Sequence, residues 1–100
     1  MHKGYSRAYR WAWALDLPTT RKMILLALVE YADASGRCHP THKQIAQRCG
    51  LASINRVRGH ISELAKEGHI TIKEHFLSGR QTANTYTLLV KETPSQEGTP

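Results

Sequence analysis

One hundred residues fit one domain with a single modest core, and 40% hydrophobic with 22% charged residues lies within the range of ordinary globular chains. A core of that size leaves little room for a deep, water-excluding catalytic cavity, which argues against an enzyme. Fourteen Lys and Arg against eight Asp and Glu give a formal charge of +6, which favours polyanionic partners over neutral or cationic ones.

The charge is unevenly spread. No acidic residue falls between Ala34 and Ser62, whereas Arg37, Lys43, Arg48, Arg56 and Arg58 do, with His39, His42 and His60. A second basic group, Lys3, Arg7, Arg10, Arg21 and Lys22, precedes the longest apolar run, Met23 to Val29. That run is far shorter than the ~18 residues of a membrane span, and no apolar leader opens the chain, so a cytoplasmic location is expected. Cys38 and Cys49 are then expected as thiols.

The N-terminal segment 1–18 reads as a basic arm with a short helix from Ser6 to Leu15, stopped ahead of Pro18. It carries Trp11 and Trp13, which cannot share one helical face; one is expected as a lid on the core and the other at the surface or in a dimer contact. Thr19 to Ala34 is expected as a central helix, capped by Thr19 or Thr20, with Ile24, Leu25, Leu28, Tyr31 and Ala32 in helical spacing and Ser35-Gly36 as its stop. Thr41 and Gln44 stand in capping-box spacing and open a short helix whose apolar side is Ile45, Ala46 and Cys49, with Gly50 ending it. Ser53 caps the next helix, which runs to Glu67 with Ile54, Val57, Ile61, Leu64 and Ala65 on one stripe and Gly68 as the stop. Its opposite face carries Asn55, Arg56, Gly59 and Ser62, with Arg58 and His60 on the flanks.

After Gly68 the period drops to two. Ile70 and Ile72 alternate with Thr71 and Lys73, Ser78-Gly79-Arg80 forms a turn, and Tyr86, Leu88 and Val90 return. The fold class predicted is mainly α with a C-terminal β-hairpin (α+β): three core helices over 19–92, a short N-terminal helix and a hairpin wing. Residues 93–100, rich in Pro, Ser, Thr and Gly, read as a disordered tail or linker.

Thr41 to Leu64 holds the parts of a helix-turn-helix: a capped short helix, small Ala46 at the helix crossing, Gly50 for the turn, apolar Leu51, and a second helix with a polar N-terminal end. The chain from about Trp11 to Val90 resembles the winged helix-turn-helix family of bacterial, phage and plasmid replication and regulatory proteins. The resemblance rests on Trp13-Ala14-Leu15-Asp16-Leu17-Pro18, Ile24 to Leu28, Gly36-Arg37-Cys38-His39-Pro40, Ile45-Ala46, Gly50-Leu51 and Gly68-His69-Ile70. Two departures are visible. Ala52 intervenes before Ser53, lengthening the turn by one residue, and Arg56 stands where the family often has Thr.

The resemblance implies double-stranded DNA as partner and assigns Ser53, Asn55, Arg56 and His60 to the groove. Chemically, Arg56 can pair bidentately with a guanine and Asn55 with an adenine, each contact giving ~1–3 kcal/mol of discrimination; the plainer alternative is solvated helix surface. Thr41, His42 and Lys43 lie at a helix N-terminus, where free N–H groups and the dipole favour phosphate, although Thr41 also serves as a cap. Arg58, Lys73, Arg80 and Gln81, with His75, are the remaining backbone or wing candidates. Gly59 in mid-helix costs ~1 kcal/mol relative to Ala, which calls for a close approach either to DNA or to another helix.

No cofactor, metal or small-molecule effector is expected: Cys38, His39, His42 and Cys49 lack a paired Cys knuckle, and no nucleophile or phosphate-loop motif occurs. The expected role is transcriptional regulation of a plasmid, phage or other mobile element, as a homodimer. The alternatives are an origin-binding domain of a replication initiator, or a winged helix used for protein contacts through the Trp11/Trp13 surface.

Overall fold

The computed structural model describes residues 3–91; the expected tail over 93–100 lies outside them. Four helices and a small antiparallel sheet make an α+β fold in the order α1 (Lys3–Ala14), α2 (Thr19–Tyr31), β1 (Arg37–Cys38), α3 (His42–Cys49), α4 (Ile54–Lys66), β2 (Ile70–Lys73), β3 (Phe76–Leu77), β4 (Arg80–Gln81) and β5 (Thr85–Leu88).

α2 is the centre. Ile24, Leu25, Ala27, Leu28 and Val29 are buried along it, and α1, α3, α4 and β5 all pack on it. A helix apolar on most of its circumference finds burial only when surrounded in this way. α1 begins three residues earlier than expected and contributes Ala8, Trp11 and Ala12 to the same core. Trp11 is 3% exposed and meets His69 edge-on, whereas Trp13 is 61% exposed, with the Lys22 ammonium 5.6 Å from its ring. The lid expected of one tryptophan is therefore Trp11.

Both predicted ends of α2 need correction. Pro18 occupies the N-cap position, with no side-chain cap, and its carbonyl accepts from the Lys22 N–H at 2.9 Å; Thr19 and Thr20 are already helical. At the other end the helix stops at Tyr31, because the Asp33 carboxylate captures Ser35 N–H (2.9 Å), the Ser35 hydroxyl (2.6 Å) and Arg37 N–H (3.1 Å). These local bonds compete with further helix. They hold the Asp33 carboxyl below its usual pKa, led by the Ser35 hydroxyl. Gly36, at φ +85°, completes the turn into β1.

The sheet has the order β1-β5-β2. β5 is central, pairing antiparallel with β2 (Ile70 opposite Leu88, Ile72 opposite Tyr86) and with β1 (Cys38 opposite Tyr86). Ile70, Tyr86, Leu88 and Cys38 face the helices and are buried. Beyond Lys73 and Thr85 the hairpin continues as a separate short ladder, β3 on β4. Two residues on the outgoing side, Glu74 and His75, oppose three on the return, Thr82 to Asn84, and the extra residue bends the ribbon as a bulge does.

Candidate nucleic-acid interface

The α3–α4 corner is built by local chemistry. Thr41 and Gln44 form the capping box, with Thr41 N–H donating to Gln44 Oε1 at 2.8 Å and Gln44 N–H to Thr41 Oγ1 at 3.0 Å. Gly50 takes φ +70° and Leu51 N–H returns to the Ala46 carbonyl at 2.8 Å, closing α3 in a left-handed turn. Ser53 Oγ then accepts from Arg56 N–H at 3.2 Å and starts α4. Ser53 Oγ is thus engaged as a cap. Val57, Ile61 and Leu64 seat α4 on the core, but Ile54, placed on that stripe by its spacing, is 40% exposed, because it lies in the first turn past the end of the buried row.

Asn55, Arg56 and Arg58 are exposed in the first turns of α4, and Arg58 donates to Asn55 Oδ1 at 3.3 Å. Gly59 follows Asn55 by four residues on the outward side, and a Cβ placed there would meet nothing within 4 Å. Among the described residues, no helix contact explains this glycine. His60 sits on the flank facing α2, where Arg21 Nε donates to its Nδ1 at 3.3 Å while Arg21 Nη1 pairs with Glu67 at 3.2 Å. Burial first, and then the neighbouring Arg21 and Arg56, lower its pKa.

His42 is half-buried at the start of α3. Asn84 Nδ2 donates to the Tyr86 hydroxyl at 3.3 Å, and that hydroxyl lies 3.1 Å from His42 Nε2. Gln81 Nε2 donates to Asn84 Oδ1 at 3.0 Å, so a relay of side chains runs from β4 to α3. Burial and then Arg58 lower the His42 pKa, while burial raises that of Tyr86. A neutral imidazole accepting from a protonated phenol fits both directions. The relay borders an open groove of about 540 Å³ lined by Thr41, His42, Arg58, Ser62, Gln81 and Asn84, with Glu74 as its one acidic residue. Lys43 is exposed on the first turn of α3, and Lys73 and Arg80 are exposed on the hairpin. His75 ties the hairpin base instead, through Thr85 Oγ1 at 2.8 Å.

The fold thus brings Thr41, His42, Arg58 and Gln81 around one groove, with Ser53, Asn55 and Arg56 at the nearby end of α4, and turns His60 toward α2. Sequence reasoning missed Asn84 and the hydroxyl of Tyr86. The signal for Tyr86 was the need of a buried tyrosine for a hydroxyl partner; Asn84 lies in the bulged segment just before β5, where alternation assigns no face.

A family model of the helix-turn-helix domain matches residues 15–70, more than half of the chain. The chain belongs to the helix-turn-helix domain family. No curated protein and no solved structure matches it. The matched stretch takes in α2, both helices of the helix-turn-helix (α3 and α4) and the first residue of β2, and it points to DNA as the partner. Among the described residues no helix is long and apolar enough to cross a membrane. Cys38, expected as a thiol, is buried in the core of this helix-turn-helix domain, with its pKa pushed up to about 12, chiefly by burial.

The two perturbed histidines give a pH prediction. Both have folded pKa values below 6.5, so the unfolded chain binds more protons; their contribution is complete above about pH 6.5 and is lost as pH falls from there through the folded values. The depressed Asp33 carboxyl loses its contribution only below its ordinary 3.8. Tm should therefore fall between about pH 7.5 and about pH 5.5, and His42→Gln should flatten that fall. An unchanged pH dependence in the variant would show that His42 does not carry it.

Proposed function

We propose that this chain is a winged helix-turn-helix protein that reads double-stranded DNA by sequence, with α4 entering the major groove and the β2–β5 hairpin serving as the wing. The observation that carries the reading is the outward side of α4. Asn55, Arg56 and Arg58 are exposed there beside a glycine with open space above it, no acid occurs before Glu63, and the groove beside them joins the helix to the hairpin. Arg56 and Asn55 suit base edges and Ser53 holds the helix end that presents them, whereas His60, bonded by Arg21 on the α2 side, suits a supporting contact and not base reading. Thr41, His42 and Lys43 at the α3 N-terminus, with Arg58, Lys73, Arg80 and Gln81, suit the phosphate backbone, which positions the protein without reading sequence.

The role that goes with this is cytoplasmic regulation of transcription for a plasmid, phage or other mobile element, by a homodimer on half-sites about one helical turn apart and without a small-molecule effector. It rests on the motif resemblance, which also admits an origin-binding domain of a replication initiator. A protein-contact role is favoured by one observation, the exposed ring of Trp13; Trp11, being buried, is not available for it.

Gly59→Ala tests the DNA reading. Alanine there has free space and better helix propensity, so the variant should be more stable by roughly 0.5–1 kcal/mol. Its affinity for duplex DNA should nonetheless fall, because the added methyl group stands between the α4 backbone and the base edges. Chemical denaturation and fluorescence anisotropy on the same protein measure both. A stabilised variant with unchanged duplex affinity would remove α4 from the groove.

A further inference from the structure

Asn55 has one hydrogen-bonding neighbour on its own face of α4. Three and four residues on, where side chains share that face, stand Arg58 and Gly59; behind it, Leu51 and Ala52 carry no polar side chain, and Ser53 Oγ is engaged as the cap. Helical side chains lean toward the N-terminus, so Arg58 lies back over Asn55, and its Nη1 donates to Asn55 Oδ1 at 3.3 Å. Gly59 puts no side chain in the way, and the space above it is open.

Chemistry fixes the direction of this bond. A guanidinium has donors and no acceptor, so the atom turned to Arg58 is the carbonyl oxygen, and the NH2 of the planar carboxamide lies on the far side. An unheld side-chain amide turns over in solvent and exchanges donor for acceptor. Held by Arg58, Asn55 can give Nδ2–H to adenine N7 and take the adenine N6–H on the second lone pair of Oδ1. Against guanine the same oxygen meets O6, one acceptor facing another. An amide free to turn can offer its NH2 to guanine instead, and the distinction between the two purines weakens.

Arg58 also faces α3. It lines the groove with Thr41 and His42, where Glu74 is the one acid, and its charge is, after burial, the second cause of the low His42 pKa. One of its five N–H groups serves Asn55, so the guanidinium has donors left for a phosphate.

Resting on the proposed DNA reading, we infer that Arg58 is a positioning residue for base recognition: by holding the Asn55 carboxamide in one orientation, it makes Asn55 select adenine over guanine.

The test uses the full chain and the duplex it retains from a random pool, with each base pair of that sequence changed in turn, in competition binding. Asn55→Ala marks the position that Asn55 reads, as the one where preference for adenine is lost. Arg58→Met keeps a long side chain without a donor. It should lower the preference for adenine over guanine at that same position roughly tenfold, together with a general loss of affinity. Arg58→Lys, a cation that donates and cannot accept, should keep most of the preference. With Asn55 already alanine, Arg58→Met should remove nothing further at that position. Both side chains are exposed, so Tm should hardly move. Uniform weakening by Arg58→Met with the preference intact overturns the inference and leaves the DNA reading standing, as does an Asn55→Ala variant that keeps every preference. A preference lost at a different position would make Arg58 a base reader in its own right and would overturn its positioning role. A wild type that retains no preferred sequence, or no duplex at all, overturns both the inference and the reading beneath it.

Discussion

Leu28→Ala is expected to lower the free energy of unfolding by about 2–5 kcal/mol, the range for a leucine deleted from a packed core. Leu28 is fully buried in α2, the helix on which α1, α3, α4 and β5 all converge. A void there is bordered by several elements that are each held by other contacts, so the surroundings cannot collapse cheaply to refill it. Small domains have only about 5–15 kcal/mol in total, so the variant should unfold at distinctly lower urea. Any DNA-binding defect should vanish when binding is measured under conditions where the variant remains folded. A loss below about 1 kcal/mol would show that α2 is not the rigid centre described above.

Arg56→Ala is expected to leave folding nearly untouched and to remove about 1–3 kcal/mol of discrimination between target and random duplex, roughly 5- to 150-fold. Arg56 stands in the first turn of α4, its side chain exposed and its backbone N–H held by the Ser53 cap. A planar guanidinium so placed can meet guanine O6 and N7 together, and only with the correct base. Lys43→Ala is the natural control, since a point charge beside the α3 N-terminus should weaken all duplexes alike and reduce the salt slope by roughly one. Competition binding at two salt concentrations separates the two behaviours. Uniform weakening by Arg56→Ala would make Arg56 a phosphate contact.

Much of this layout was legible because it is local chemistry. The Thr41/Gln44 spacing, Gly50 and Ser53 specify where α3 starts, where it stops and where α4 starts, and the structure shows the corresponding bonds. Other features escaped because they depend on distant or very short segments. β1 is two residues long, too short for any period to show. The cap of α2 fell to Pro18, not to a threonine, and its early end to a side-chain turn at Asp33, each a local competition that composition does not decide. The site itself depends most on what cannot be read along the chain. His42 and Tyr86 are 44 residues apart, and only the packing of β5 beside α3 makes them partners. The tryptophan spacing required that Trp11 and Trp13 part company; Ala8 and Ala12 beside Trp11 decide which one faces the core.

The central claim is that the outward side of α4 reads duplex DNA by sequence. Its most direct test is selection from a pool of random duplexes by the purified chain at low and at moderate salt, followed by sequencing of what is retained. Recovery of a motif, as a two-fold repeat with half-sites about one helical turn apart, is the predicted result. Retention with no sequence preference, or no retention even at low salt, would contradict it.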